Sequence, residues 1–157
     1  MNLKEKAIEK IQKRGICLDE IVELIWKLQK EYRPTLTIEE CYQAFDKVLS
    51  KREVLHAILT GIAIDEAVEN NSFDETISPI IYEDEGLYGI DEILALSIVN
   101  VYGSIALTNF GYLDKVKPGI IQKIDQRGKE KECHTFFDDL ICAVIASACA
   151  KIAHQTS

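Results

Sequence analysis

Gly89-Ile90-Asp91-Glu92 opens directly into ILALSIVNVYGSIALTNFGYL, residues 93–113, a stretch without a charged residue. Its apolar members, among them Ile93, Leu94, Leu96, Ile98, Val99, Val101, Ile105 and Leu107, occur on every face of a helix and never alternate with period two. Such a pattern predicts a helix buried on all sides, from about Asp91 to Leu113, at the centre of a bundle. The 21 uncharged residues also reach the length of a membrane span, but Ser97, Asn100, Ser104, Thr108 and Asn109 interrupt them and no other segment is as long.

A second start of the same kind, His134-Thr135-Phe136-Phe137-Asp138-Asp139, leads into Leu140–Ala150, again uncharged. A last helix is expected from about Phe136 to His154, where Ala143, Ala146, Ser147, Ala148 and Ala150 let neighbouring backbones come close. Thr135-Phe136-Phe137-Asp138 has the spacing of a helix cap, which suffices to explain Asp138. Asp139 lies about 100° further round the helix and is left without that explanation. Two acid pairs, each at the lip of an apolar helix, would together supply the hard oxygen ligands that Mg2+ or a similar cation needs.

Outward from these two segments, residues 3–13 carry Leu3, Ala7, Ile8 and Ile11 at helical spacing, and Gly15 closes that helix. A second begins near Leu18 and stops before Pro34. Thr37-Ile38-Glu39-Glu40 marks the start of a third. Val54–Val68 reads as a fourth, with Gly61 inside it, which implies close packing against a neighbour. Asn71–Gly89 reads as one long irregular stretch, and Lys115–Lys131 as a basic connector with Lys115, Lys117, Lys123, Arg127, Lys129 and Lys131. The expected fold is all-α, a single compact bundle of about six helices over residues 1–157 with one central buried helix.

The net charge of -8 is uneven: Glu53–Asp114 holds twelve acids and no Lys or Arg, leaving the remaining residues net positive. No basic face for nucleic acid is evident. The five cysteines, Cys17, Cys41, Cys133, Cys142 and Cys149, form no Cys-x-x-Cys pair, so neither a disulfide framework nor a zinc site is expected. A reducing cytosol is the default compartment, because the charged start Met1-Asn2-Leu3-Lys4-Glu5-Lys6 lacks the apolar core of a signal peptide.

Asp84-Glu85-Gly86-Leu87-Tyr88-Gly89-Ile90-Asp91-Glu92, then Tyr112-Leu113-Asp114-Lys115-Val116-Lys117-Pro118 with Asp125, then Phe137-Asp138-Asp139-Leu140-Ile141-Cys142-Ala143, resembles the phosphatidylglycerophosphatase A family. Cys133-His134-Thr135-Phe136-Phe137 replaces that family's glycine-rich lead-in to its Asp-Asp pair, and the chain resembles a soluble branch. The resemblance implies Mg2+-dependent removal of the terminal phosphate from phosphatidylglycerophosphate or a related phosphomonoester, with Ca2+ or Mn2+ as possible substitutes for the ion. It makes Asp84, Asp91, Glu92, Asp138 and Asp139 the expected acidic positions.

Asp65, in Asp65-Glu66, is a further candidate ligand. Asp139 is a candidate base, His134 a candidate proton donor, and Lys115 and Lys117 candidates to meet substrate phosphate. Expected partners are a phosphate ester, including a lipid head group with at most peripheral membrane contact at the inner face, and further copies of the chain. A helical nucleotide pyrophosphohydrolase is the alternative enzyme, and a metal-stabilised interaction protein the alternative outside catalysis.

Overall fold

The computed structural model describes residues 2–130 and 132–155, without the side chains of 127–130, so Lys131 and the side chains of Arg127 and Lys129 lie outside the described residues. Among the described residues there are helices and no strands: α1 (Leu3–Lys13), α2 (Leu18–Gln29), α3 (Ile38–Val48), α4 (Arg52–Glu69), α5 (Ser78–Tyr82), α6 (Ile90–Val99), α7 (Ser104–Val116), α8 (Ile120–Glu130) and α9 (Thr135–His154). The all-α expectation holds, but the count of about six does not. One expected helix is two, and the stretches read as irregular or connecting contain α5 and α8.

Local chemistry sets several of the boundaries. Asn2 with Glu5, and Thr37 with Glu40, form reciprocal capping boxes at the starts of α1 and α3. Asp74 accepts from the backbone N–H groups of Thr76 and Ile77 just ahead of α5. Buried Ile81 then anchors this short helix, and its carbonyl accepts from the Thr135 hydroxyl at 2.6 Å.

The centre is α9 rather than the helix expected from Asp91 to Leu113. Every residue of α9 from Thr135 to Ala150 is buried, and α2, α3, α4, α6, α7 and α8 all pack on it. Its alanines allow that many neighbours. By contrast Ile93 on α6, Val101 just after it, and Ile105 and Leu107 on α7 are exposed. Between α6 and α7 the chain turns at Asn100–Gly103, where Gly103 has φ 89°, a conformation that excludes most side chains.

That turn positions the site. In a straight helix Asp91 and Asp114 would stand about 35 Å apart at 1.5 Å per residue. Folded back at Gly103, the two helices both pack on α9, and their outer ends come together at its N-terminal end.

Gly61 of α4 faces side chains of both α6 and α9. A Cβ there would lie 2.3 Å from Leu140 Cδ1, 3.1 Å from Phe136 Cβ and 3.3 Å from Leu94 Cδ2. Gly61→Ala is expected to lower the unfolding free energy by about 1–3 kcal/mol by overpacking, despite a helix-propensity gain of about 1 kcal/mol. Urea unfolding monitored by circular dichroism checks this.

Candidate metal centre

The N-terminal end of α9 is buried, so its free backbone donors must find partners within the protein. Asp65 of α4 provides them: its Oδ1 accepts from Phe136 N at 3.1 Å and its Oδ2 from Phe137 N at 2.8 Å. The Cys133 thiol also reaches Oδ1, at 3.5 Å. Asp65 is completely buried, and burial pushes its carboxyl up to about 7 against the hydrogen bonds that favour its ionised form. Both oxygens of Asp65, an expected metal ligand, thus already have partners at the start of α9. The cap expected from Thr135 and Asp138 is replaced by this one, because the Thr135 hydroxyl is turned to Ile81.

One turn further on, Asp138 and Asp139 meet the ends of the α6–α7 hairpin. A pocket lined by Asp84, Gly89, Asp91, Glu92, Asp114, Lys117, Asp138 and Asp139 gathers both acid pairs and Asp84. Asp114, Asp138 and Asp139 each offer a carboxylate oxygen, all within 4.8 Å of one another. Asp91 and Asp114 both crowd Asp139. Asp114, missing from the expected ligands, is signalled by its place as the first charge after the uncharged run and within the stretch Tyr112–Pro118 that carries the resemblance.

The electrostatics are strained without a cation. Burial, and then Asp91 and Asp114, push the Asp139 carboxyl well above its ordinary range. Burial pushes Asp138 up to about 6, partly offset by Lys117. Asp84 and Glu92, both on the exposed lip, are raised by burial and by Asp91 and Asp114.

Lys117 reaches Asp138 Oδ2 at 3.2 Å and Asp114 Oδ1 at 3.8 Å. Burial works against its charge, but Asp138, Asp114 and Asp125 override it and hold the ammonium above its ordinary value. Asp84 and Lys117 both sit at φ 52°, an uncommon conformation for residues with a side chain and one that clusters at functional sites. Lys115 is exposed and does not line the pocket, so of the two lysines expected to meet phosphate only Lys117 is positioned there.

His134 also lies apart from the acid pocket, on an adjoining cavity. Its Nε2 is 2.8 Å from Glu132 Oε2, and burial lowers its pKa. The ring, expected as a proton donor, is thus engaged by Glu132 and does not line the acid pocket. Behind it, Arg14 Nη2 contacts Glu69, donates to the Cys133 carbonyl at 2.7 Å and lies 3.8 Å from Glu132. Glu69, Glu132 and His134 are close enough to chelate, but an arginine already neutralises this group.

The acid pocket fits a hard divalent cation. Oδ1 of Asp138 is buried with no partner, the acidic neighbours of Asp139 raise its carboxyl, and the donor set is oxygen throughout.

The family model described as Phosphatidylglycerophosphatase A matches residues 7–154. The uncharacterized protein YutG of Bacillus subtilis is 46% identical over 153 residues, 98% of this chain and 92% of that protein. The uncharacterized protein YpjQ of the same organism is 49% identical over 144 residues, 92% of this chain and 80% of that protein. Among solved structures, a protein of unknown function from Bacillus stearothermophilus superposes with TM-score 0.94 at 49% identity, covering 100% of this chain and 98% of that one. The low temperature requirement C protein from Listeria monocytogenes gives TM-score 0.92 at 48% identity, with 98% and 96% covered. No described helix is long and apolar enough to cross a membrane.

Asp65→Ala is expected to cost about 2–4 kcal/mol, since it strips a cap and leaves two buried N–H groups unpaired. Chemical denaturation at neutral pH checks this. Asp138 and Asp139 have folded pKa values raised above the unfolded 3.8, so the stability their protons contribute is complete below that value and is lost as pH rises through the folded values. With EDTA, the melting temperature is therefore expected to fall between about pH 5 and pH 8, and Mg2+ to restore it by an increment that grows with pH. Thermal unfolding in the two buffers reads both effects.

Proposed function

Because the chain belongs to the phosphatidylglycerophosphatase A family, we propose that it is a divalent-metal-dependent phosphomonoesterase, acting on phosphatidylglycerophosphate or a related phosphate ester. The observation that carries this reading is the convergence of Asp91, Asp114, Asp138 and Asp139 with Lys117 in one pocket. Those four carboxylates would hold the cation, with Mg2+ as the first choice for an all-oxygen set. When bound, the cation neutralises phosphate oxygens and lowers the pKa of water.

The chain's own groups divide the remaining work. Lys117, kept protonated, faces the phosphate as a fixed positive charge and screens the acids from it. Asp139 is buried to 4% exposure and committed to its acidic neighbours, which makes it a poor acceptor of a proton from water. Asp84 on the exposed lip, with a raised pKa, is better placed to take that proton than Asp139, the base expected from the sequence. Hydrolysis forms one bond from water oxygen to phosphorus and breaks the bond from phosphorus to the alcohol oxygen. The alcohol leaves with a proton, and inorganic phosphate is the second product.

Phosphate release from phosphatidylglycerophosphate in mixed micelles, with Mg2+ and with EDTA, tests the assignment. Release is expected with Mg2+ alone and to fall by at least about 1,000-fold in Asp138→Asn, which breaks the ligand set. Asp139→Asn is expected to be equally inactive while melting higher than the parent in EDTA above neutral pH, because it keeps a polar group in place without a buried charge. Substrate left intact by the parent protein with Mg2+ would refute the assignment, and pyrophosphate release from nucleotides would point to the other hydrolase chemistry.

A further inference from the structure

Between Glu92 and Asp114 the chain carries no charge, yet the α6–α7 hairpin that it forms is open to solvent on one side. Ala95, Ile98 and Val99 of α6 and Ala106, Phe110 and Leu113 of α7 are buried, and both helices pack on α9. The opposite side is exposed. There Ile90, Ile93 and Ser97 follow one stripe of α6, and Ser104, Leu107 and Gly111 follow one stripe of α7 with the same three- and four-residue steps. Ile93 is 61% exposed and Leu107 53%, while Leu87, on the loop leading into α6, is 94% exposed. Lys115, one turn past Gly111, is where the uncharged stripe ends.

Scattered exposed leucines need no explanation, but a contiguous face of this extent does. Counting about 200 Å² for a large side chain in the open, Leu87, Ile90, Ile93, Leu107 and Tyr112 leave about 600 Å² uncovered. The exposed serines, Thr108 and Gly111 among them bring the face close to the ~800 Å² that each partner contributes to a standard interface. Charge then selects the occupant. The protein carries a net charge of -8, and Glu53–Asp114 holds twelve acids with no Lys or Arg. Helices that lie on a bilayer flank their apolar stripe with Lys and Arg, which this block lacks. A strongly charged protein partner would find no opposite charge on the stripes short of Lys115. A second copy fits better: two molecules of this net charge repel, and least so through a face on which neither bears a charge. Ser97, Ser104 and Gly111 are small enough for helices of two copies to approach closely.

We propose that the outer face of the α6–α7 hairpin is the interface of a two-fold homodimer, in which Ile93 and Leu107 of each copy are buried against the other. The inference concerns assembly and holds whatever reaction the acid pocket performs.

Sedimentation equilibrium of the full chain tests it. The parent is expected at twice the chain mass with a Kd of about 10 μM or tighter. The double variant Ile93→Glu with Leu107→Glu is expected to raise that Kd by at least about 100-fold, because each copy would bury unpaired carboxylates, while its circular dichroism spectrum stays that of the parent. Ile38→Glu, on α3 and outside the hairpin, is expected to leave the Kd unchanged. Raising NaCl from about 50 mM to about 500 mM is expected to tighten the dimer, since salt screens the repulsion between copies and the stripes hold no ion pair for it to weaken. A parent that stays monomeric to about 100 μM overturns the proposal, as does a dimer that survives the double substitution or loosens with salt. If the monomeric parent instead floats with phosphatidylcholine vesicles and the double variant does not, the face is a bilayer contact and the homodimer is refuted.

Discussion

Helix α9 is enclosed along nearly its whole length, so the polar groups of its first turn depend on the protein rather than on water for partners. Asp65 meets this demand from α4 by taking the N–H groups of Phe136 and Phe137. With that end held, Asp138 and Asp139 project from the first turn toward the free ends of α6 and α7. A single solvation requirement therefore ties the core helix to its neighbours and presents the acids to the pocket.

The same burial sets stability against function. An apolar helix start with no Asp-Asp pair would be easier to bury, because the present one buries Asp139 among acids and draws a lysine against Asp138. Violations of ordinary packing sense tend to concentrate where a protein does chemistry, and here they coincide with two left-handed residues, Asp84 and Lys117. By contrast, the buried Arg14 network with Glu69 and Cys133 is satisfied internally except at Arg14 Nε, and reads as the brace between α1, α4 and the start of α9.

The acid pairs are legible in the sequence because each breaks sharply into an uncharged run, and that contrast survives into the structure as one pocket. The capping box at Thr37 and the tight contact at Gly61 are legible for the same reason, since each depends on neighbours in the chain or on a residue with few explanations. The identity of the central helix is not. Uncharged residues 93–113 look more enclosed than Leu140–Ala150, yet exposure is decided by which helices arrive from elsewhere, and the alanines of α9 admit more of them. The division at Gly103 is hidden because a lone glycine in an apolar run is compatible with a continuous helix. The capping role of Asp65 is not legible either, because the N–H groups it accepts from lie some 70 positions away in the chain.

The reversal at Asn100–Gly103 places the bend of the α6–α7 hairpin about 15 Å, one length of α6, from the carboxylates at its open end. Chain length at the bend is consequently decoupled from the spacing of Asp91 and Asp114. Evolution is free to graft extra residues there, or an engineer a tag, at a tip bearing exposed Asn100 and Val101. The hairpin behaves as a pair of tongs gripped at the jaws by α9, whose handle tolerates redesign.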